Sequence, residues 1–361
     1  MKPAIKRLMG VVLKNRIQVC WNKRSFLLVP VLVLTLWTLE VVTEATNPPT
    51  ANPPRTEENG ISVYRSIGYT EADTSSQSLD LFLPWKLPPG PLPLVILIHG
   101  GGWLSGDKKD FAGLAPEFVS RGFAVATINY RLSSQGTWPA QIVDSKAAVR
   151  WLRTNASQYH LDPKRFAVGG HSAGAHLAAF LGATNGVKEF DKGTNLNASS
   201  DVQAVLWFSG IADLVARATT PGFEIVQKSN SDQSRLLGAP TMDRRSLAIA
   251  ASPVTWVSRK TAPFFFEAGT EDKVVPLNQV DLMKAALDKY NIYSEVHLLK
   301  GVSHFSLEFF DKQHLSLIDQ FLKRELHVDE HAVPPKKSPG KKNSSTTSKN
   351  LRGSCAKRHS H

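Results

Sequence analysis

The stretch FAVGGHSAGAHLAAFLG (Phe166–Gly182) decides how this chain folds. Phe166–Val168 is a short apolar run of the kind that forms a buried strand. It meets Gly169 and Gly170, passes through His171 and Ser172, and from Ala173 turns alanine- and leucine-rich, as a helix does. Gly170-His-Ser-Ala-Gly174 fits the pattern G-x-S-x-G, which gains weight only because a strand signal precedes it and a helix signal follows. At a turn this sharp, side chains at the flanking positions would collide with neighbouring elements, so glycine is required there. The turn would hold Ser172 in a strained conformation, its hydroxyl at the C-terminal edge of a sheet and beside the N–H groups that open the helix. Those are the conditions a nucleophile needs. The bland alternative is a plain glycine-rich turn, so the remaining machinery has to be found elsewhere in the chain.

Outward from this elbow, strand and helix signals alternate. Ser62–Tyr69 and Ser78–Phe82 read as two antiparallel strands. Leu94–Ile98 (LVILI) reads as a strand buried on both faces. A short helix is expected over Leu114–Val119, a strand over Ala124–Asn129, and a helix over Ile142–Thr154. Beyond the elbow come strands at Val205–Phe208, Phe264–Glu267 and Glu295–Leu299, with helices at Asn278–Lys289 and His314–Leu326. The expected fold class is α/β, with a mostly parallel central sheet and helices on both faces. Ala212–Thr261 reads as a long irregular insert, a candidate small lid.

His99-Gly100-Gly101-Gly102-Trp103 follows the strand LVILI directly. Three consecutive glycines let the backbone pass close to a substrate carbonyl and aim N–H groups at it. With Ala173, Gly101 and Gly102 are candidate donors of an oxyanion hole. Trp103 is a candidate substrate-binding residue, with core packing as the competing reading, and His99 reads as a brace for the loop. A serine elbow of this kind takes its acid and then its base from later in the chain. The loop after FFFEA carries Glu271 and Asp272, and the loop after EVHLLKG carries His304. Both fall at strand C-terminal ends, where sites on parallel sheets lie. Asp272 is the expected acid, with Glu271 its rival, and His304 the expected base. His171, although adjacent to Ser172, is expected to be turned elsewhere, and His176 to pack. No His/carboxylate cluster suggests a metal, and no cofactor is expected.

The chain's net charge of +12 looks like a nucleic-acid signal until it is located. Residues 1–25 hold seven Lys/Arg and 333–361 hold eight, with no acid in either tail, which leaves 28 bases against 31 acids between them, a net of −3. The body is therefore not expected to bind nucleic acid. Both cysteines, Cys20 and Cys355, lie in the tails. After the basic leader comes an uncharged apolar run of 14 residues, Phe26–Leu39. As a helix it would rise about 21 Å, short of a hydrocarbon thickness of roughly 30 Å. Residues 1–45 thus read as a leader with an export signal, or as an anchor through 26–43 if it is not cut, with the body exported. Residues 46–60 read as a Pro-rich linker, 61–328 as the catalytic domain, and 329–361 as a basic, disordered tail.

HGGGW, PAQIVDSKAAVRWLR, FAVGGHSAGAHLA, ASPVTWV, AGTEDKVVP and GVSHF, in this order, resemble the α/β-hydrolase esterases that carry an HGGG motif. The likeness is greatest to acetyl-esterase and xylan-deacetylase or feruloyl-esterase-type proteins, related to the hormone-sensitive-lipase group, and it covers Ile61–Leu326. It implies Ser172 as nucleophile, Asp272 and His304 as its partners, and Gly101, Gly102 and Ala173 as oxyanion donors. Asp144 and Arg150, in the matching helix segment, are read as structural. The expected activity is hydrolysis of short-chain or aryl esters, acetyl or feruloyl, on small molecules or polysaccharides. The rivals are an amide or formamide hydrolase or a serine peptidase on the same fold, a catalytically silent binding module, and a basic tail that binds anionic polymer.

Overall fold

The computed structural model describes residues 55–72 and 75–328. The leader, the apolar segment, most of the Pro-rich tract and the basic tail, with the export, anchor and tail expectations that rest on them, lie outside the described residues.

Among the described residues, nine strands form one sheet: β1 (Thr56–Glu58), β2 (Ile61–Gly68), β3 (Ser78–Pro84), β4 (Leu92–Ile98), β5 (Ala124–Ile128), β6 (Leu161–His171), β7 (Ala204–Phe208), β8 (Phe264–Gly269) and β9 (Ser294–Leu299). Their order across the sheet is β1-β2-β3-β5-β4-β6-β7-β8-β9. The β1–β2, β2–β3 and β3–β5 pairs are antiparallel, and every pair from β5 to β9 is parallel. Helices α1 (Ala115–Ser120), α2 (Ala140–Thr154), α3 (Ala173–Ala183), α7 (Asn278–Asp288) and α8 (Lys312–Glu325) connect or close the parallel strands.

β4 is apolar at every position because both its faces are covered. Leu94, Ile96 and Ile98 point into a core shared with α2, α3 and α7. Val95 and Leu97 point into a second core, shared with Phe118 of α1 and with Ile318, Phe321 and Leu322 of α8. The helices follow from their patterns. α7 buries Val280, Met283 and Leu287, one stripe at helical spacing, whereas α3 is buried on every side and is correspondingly apolar all round. After β4 the chain moves to one side to form β5, and β6 pairs with the other side of β4. The loops after β4 and β6 therefore diverge, and a crevice opens at their C-terminal ends. Those two loops are the triple glycine and the serine elbow.

Three expectations change. Thr56–Glu58, read as linker, is an edge strand paired with Ile61–Val63. Asn59 and Gly60 both have positive φ (54° and 78°) and make the two-residue turn that favours Asn-Gly. β6 runs over 11 residues rather than three, because its first part continues alongside Leu92. The insert is not irregular: it holds α4 (Leu214–Thr219), α5 (Asp232–Leu237) and α6 (Arg245–Ala250), with short 3-10 turns at Glu224–Gln227 and Pro253–Trp256.

The sheet also buries a carboxyl group. Glu267 of β8 lies between Phe208 and His297 in register, is fully buried, and among the described residues has no hydrogen-bond partner for either oxygen. Burial, and secondarily the charge of Asp311, pushes its pKa up to about 9, so it is folded in as the neutral acid. The unfolded chain releases this proton at ordinary carboxylate pH, while the folded chain keeps it until about pH 9. Its contribution to stability therefore falls as pH rises between those two values. Glu267→Met should raise unfolding free energy at pH 8 by ~3–5 kcal/mol more than at pH 4, where it relieves only the unpaired neutral carboxyl, worth ~1–3 kcal/mol. Urea melts at the two pH values read both numbers, and equal shifts at both would contradict the assignment.

Candidate active site

Ser172 stands between β6 and α3 with φ 56° and ψ −119°, a conformation that a side chain normally avoids. The flanking glycines are there because of close approach. A β-carbon on Gly170 would lie 2.4 Å from the carbonyl carbon of Gly174, and one on Gly174 would lie 2.0 Å from the carbonyl oxygen of Ile98. The Ser172 N–H donates to the Phe208 carbonyl (2.9 Å), tying the elbow to β7, while the residue as a whole is 8% exposed.

The other two expected residues converge on it. His304 Nε2 is 2.8 Å from Ser172 Oγ, and His304 Nδ1 is 2.7 Å from Asp272 Oδ2. Asp272 Oδ1 accepts from the N–H groups of Val274 (2.8 Å) and Val275 (2.9 Å). Burial alone would push the Asp272 carboxyl up. The hydrogen bond and charge of His304 and the two backbone donors outweigh it, and the net shift is downward. Asp272 rather than Glu271 faces His304, and Glu271 is exposed. The two loops are locked together, because a β-carbon on Gly269 would stand 2.2 Å from the Val302 carbonyl oxygen, and Glu271 N–H donates to that same oxygen (2.9 Å).

Gly101 and Gly102 turn with φ of 91° and 59°, and the Gly101 carbonyl accepts from the N–H groups of Leu104 (3.0 Å) and Ser105 (3.1 Å). Among the described residues, the N–H groups of Gly101 and Gly102 donate to no other backbone group. Ala173 N–H opens α3 directly after the serine. Among the described residues, no group of three or more His, Cys, Asp or Glu comes together as a metal-ligand set.

Trp103 is a correction. Its indole is fully buried and lies edge-on to His176, with ring centres 5.1 Å apart, rather than lining an open site. The left-handed turns at Gly102 and Trp103 fold the chain back, and burying so large an apolar ring outweighs exposing it. His171 is another correction: its ring faces the His304 ring at 4.7 Å instead of turning away. His99 is buried and stacks on Tyr130 at 4.4 Å, bracing the loop, and His176 packs with Nε2 bonded to the Ala251 carbonyl (2.8 Å). Asp144 is held by Arg131 and Gln77, and Arg150 ties down Asp191 and the carbonyl of Thr194, both away from Ser172.

Sequence reasoning missed Arg217 and Asp232. Arg217 of α4 is buried. Its Nη2 lies 3.2 Å from Asp232 Oδ2 and 3.3 Å from the Val274 carbonyl, and its Nη1 lies 3.3 Å from Gln233 Oε1. Asp232 packs on the glycine loop so closely that a β-carbon on Gly102 would be 2.9 Å from its own. One guanidinium thus joins the insert to the glycine loop and to the turn that cups Asp272. No motif marks either residue.

A sheet of this order, with a serine elbow at the switch point and acid and base on the last two strand ends, defines the α/β-hydrolase fold. The sequence model of the BD-FAE family matches residues 79–287, and the chain belongs to that family. The probable carboxylic ester hydrolase LipM of Mycobacterium tuberculosis is 30% identical over 69% of this chain and 58% of its own length. Esterase LipC of the same organism is 30% identical over 57% of this chain and 51% of its own. The chain thus spans between half and three fifths of these relatives. Among solved structures, a truncated carbohydrate esterase from gut microbiota superposes with a TM-score of 0.68 at 27% identity, covering 76% of this chain and 99% of that one.

Replacing Arg217 by Leu would strand the Asp232 carboxylate and the Val274 carbonyl. Unfolding free energy should drop by about 2–4 kcal/mol. Much of that loss should return when Asp232 is changed to Asn in the same chain, which a double-mutant cycle by urea melts measures.

Proposed function

We propose that the protein is a serine carboxylesterase that hydrolyses short-chain or aryl esters, of acetyl or feruloyl type, through a seryl ester. The observation that carries this reading is the single imidazole, His304, bridging Ser172 Oγ and Asp272. In this mechanism Ser172 Oγ attacks the ester carbonyl carbon while His304 Nε2 takes its proton. Asp272 keeps the other ring nitrogen protonated and stabilises the imidazolium. The carbonyl oxygen becomes an oxyanion facing the N–H groups of Gly101, Gly102 and Ala173, each such donor worth ~3 kcal/mol of barrier. The C–O bond to the alcohol breaks as His304 returns the proton to it. Water then attacks the seryl ester with His304 again as base, releasing the acid and restoring Ser172.

The similarity to LipM, a probable carboxylic ester hydrolase, and to the esterase LipC supports the reaction class. The similarity to the carbohydrate esterase supports an ester carried on a carbohydrate. The basic leader and its 14-residue apolar run support export of the catalytic body.

With p-nitrophenyl acetate, Ser172→Ala should lower kcat by at least ~10³-fold and Asp272→Asn by about 10⁴-fold, with folding unchanged by circular dichroism. Hydrolysis by Ser172→Ala at the wild-type rate would refute the proposal. A panel of acetyl, feruloyl, N-formyl and dipeptide substrates reads the preferred acyl group.

A further inference from the structure

The elbow presents two side chains to the site. One is Ser172, and the other is its neighbour. We propose that His171 is a positioning residue: its imidazole clamps the backbone of His304, so that nucleophile and base are held by adjacent residues of one rigid turn. This deepens the esterase reading and rests on it.

The geometry is direct. His171 Nε2 is 2.7 Å from the His304 carbonyl oxygen, at hydrogen-bond distance for an N–H donor. The same ring lies 4.7 Å from the His304 ring, 5.4 Å edge-on from Phe305 and 6.3 Å from Phe309. The loop it grips is locked to the Asp272 loop at Val302, but beyond that point it is lightly held. Phe305 and Leu307 are 61% and 79% exposed, and Ser303 contributes one exposed hydrogen bond, from its hydroxyl to the Phe305 carbonyl. A segment with so few buried contacts opens easily unless something ties it down.

The sheet alone fixes this distance poorly. β6 carries the serine and β9 leads to the histidine, with β7 and β8 between them. Three strand spacings amount to about 14 Å, across which small changes in twist add up. A hydrogen bond from the residue next to Ser172 bypasses that path.

The ring's chemistry suits a fixed donor. Burial, helped by the charge of His304, lowers the pKa of His171 to about 4, so the ring is neutral at neutral pH. It then carries one N–H, which must be on Nε2 to serve the His304 carbonyl, leaving Nδ1 bare. On its far side the ring is backed by Gly100, where a β-carbon would lie 3.3 Å from Nδ1 and 3.0 Å from the His171 carbonyl oxygen. One side chain therefore touches the base loop and backs onto the glycine loop, while its own backbone leads into the nucleophile.

The test compares His171→Leu, which removes the donor, with His171→Gln, whose amide N–H reaches a similar point. With p-nitrophenyl acetate, His171→Leu should lower kcat by ~10–100-fold with KM within about threefold, the size expected when a reacting group is misplaced by about 1 Å. His171→Gln should recover most of that loss. Wild-type kcat in the Leu variant, or equal losses in both, would overturn the proposal. If the Leu variant does not fold, His171→Asn, whose amide is too short to reach, takes its place with the same expectations. A second readout does not depend on esterase activity: the low-field proton resonance of the His304–Asp272 hydrogen bond should broaden in the Leu or Asn variant and persist in the Gln variant. An unchanged resonance in all of them would overturn the clamp even if the wild type hydrolyses no ester, whereas a wild type without Ser172-dependent hydrolysis would overturn the esterase reading alone.

Discussion

A β-carbon at Gly174 would stand 2.0 Å from the Ile98 carbonyl oxygen, so the first turn of α3 rests on the end of β4 with only hydrogen between them. That approach sets the rest. It brings the Ala173 N–H, at the start of α3, next to the loop that leaves β4, where Gly101 and Gly102 turn left-handed. It also forces Ser172 into its positive-φ conformation, because no relaxed backbone makes so tight a reversal between a strand and a helix packed this closely. Gly170 answers the same pressure from the other side, with its Cα against the Gly174 backbone.

A strained residue costs ~1–3 kcal/mol and persists only if its surroundings over-determine it. They do so here. β6 is paired on both sides, with β4 and β7, and α3 is buried along its whole length. The Ser172 N–H is anchored to Phe208. Just past His304 the chain exposes Phe305 and Leu307, and the ring of His171 grips it at the His304 carbonyl.

What the sequence disclosed follows from this. Strands covered on both faces write themselves as apolar runs, and β4, β5 and β7 were legible for that reason. The elbow was legible because steric exclusion allows only glycine at fixed places. Asp272 and His304 were legible because parallel strands end in loops on one edge. The failures have physical causes too. The β1 hairpin carries its Asn59-Gly60 turn signal at the end of a Pro-rich tract, which hides it. Periodicity says nothing of where a side chain at a strand's end points, so His171 and Trp103 were both misdirected. Arg217 and Asp232 lie 15 residues apart on two short helices of the insert, and nothing in their spacing announces that they meet. Glu267 sat inside the run FFFEA, where apolar neighbours gave away the strand but not the buried acid.

The insert matters to the chemistry through that ion pair. Asp232 packs against Gly102, one of the proposed oxyanion donors. An unpaired carboxylate there would oppose any negative charge developing beside Gly102, because like charges disfavour each other. Arg217 removes the conflict by neutralising it, and the same cation takes the Val274 carbonyl, whose residue donates its N–H to Asp272. A lysine, with one ammonium point charge, could not span these acceptors with the geometry of a planar fork. The buried guanidinium is therefore what lets the Asp232 carboxylate sit against the glycine loop.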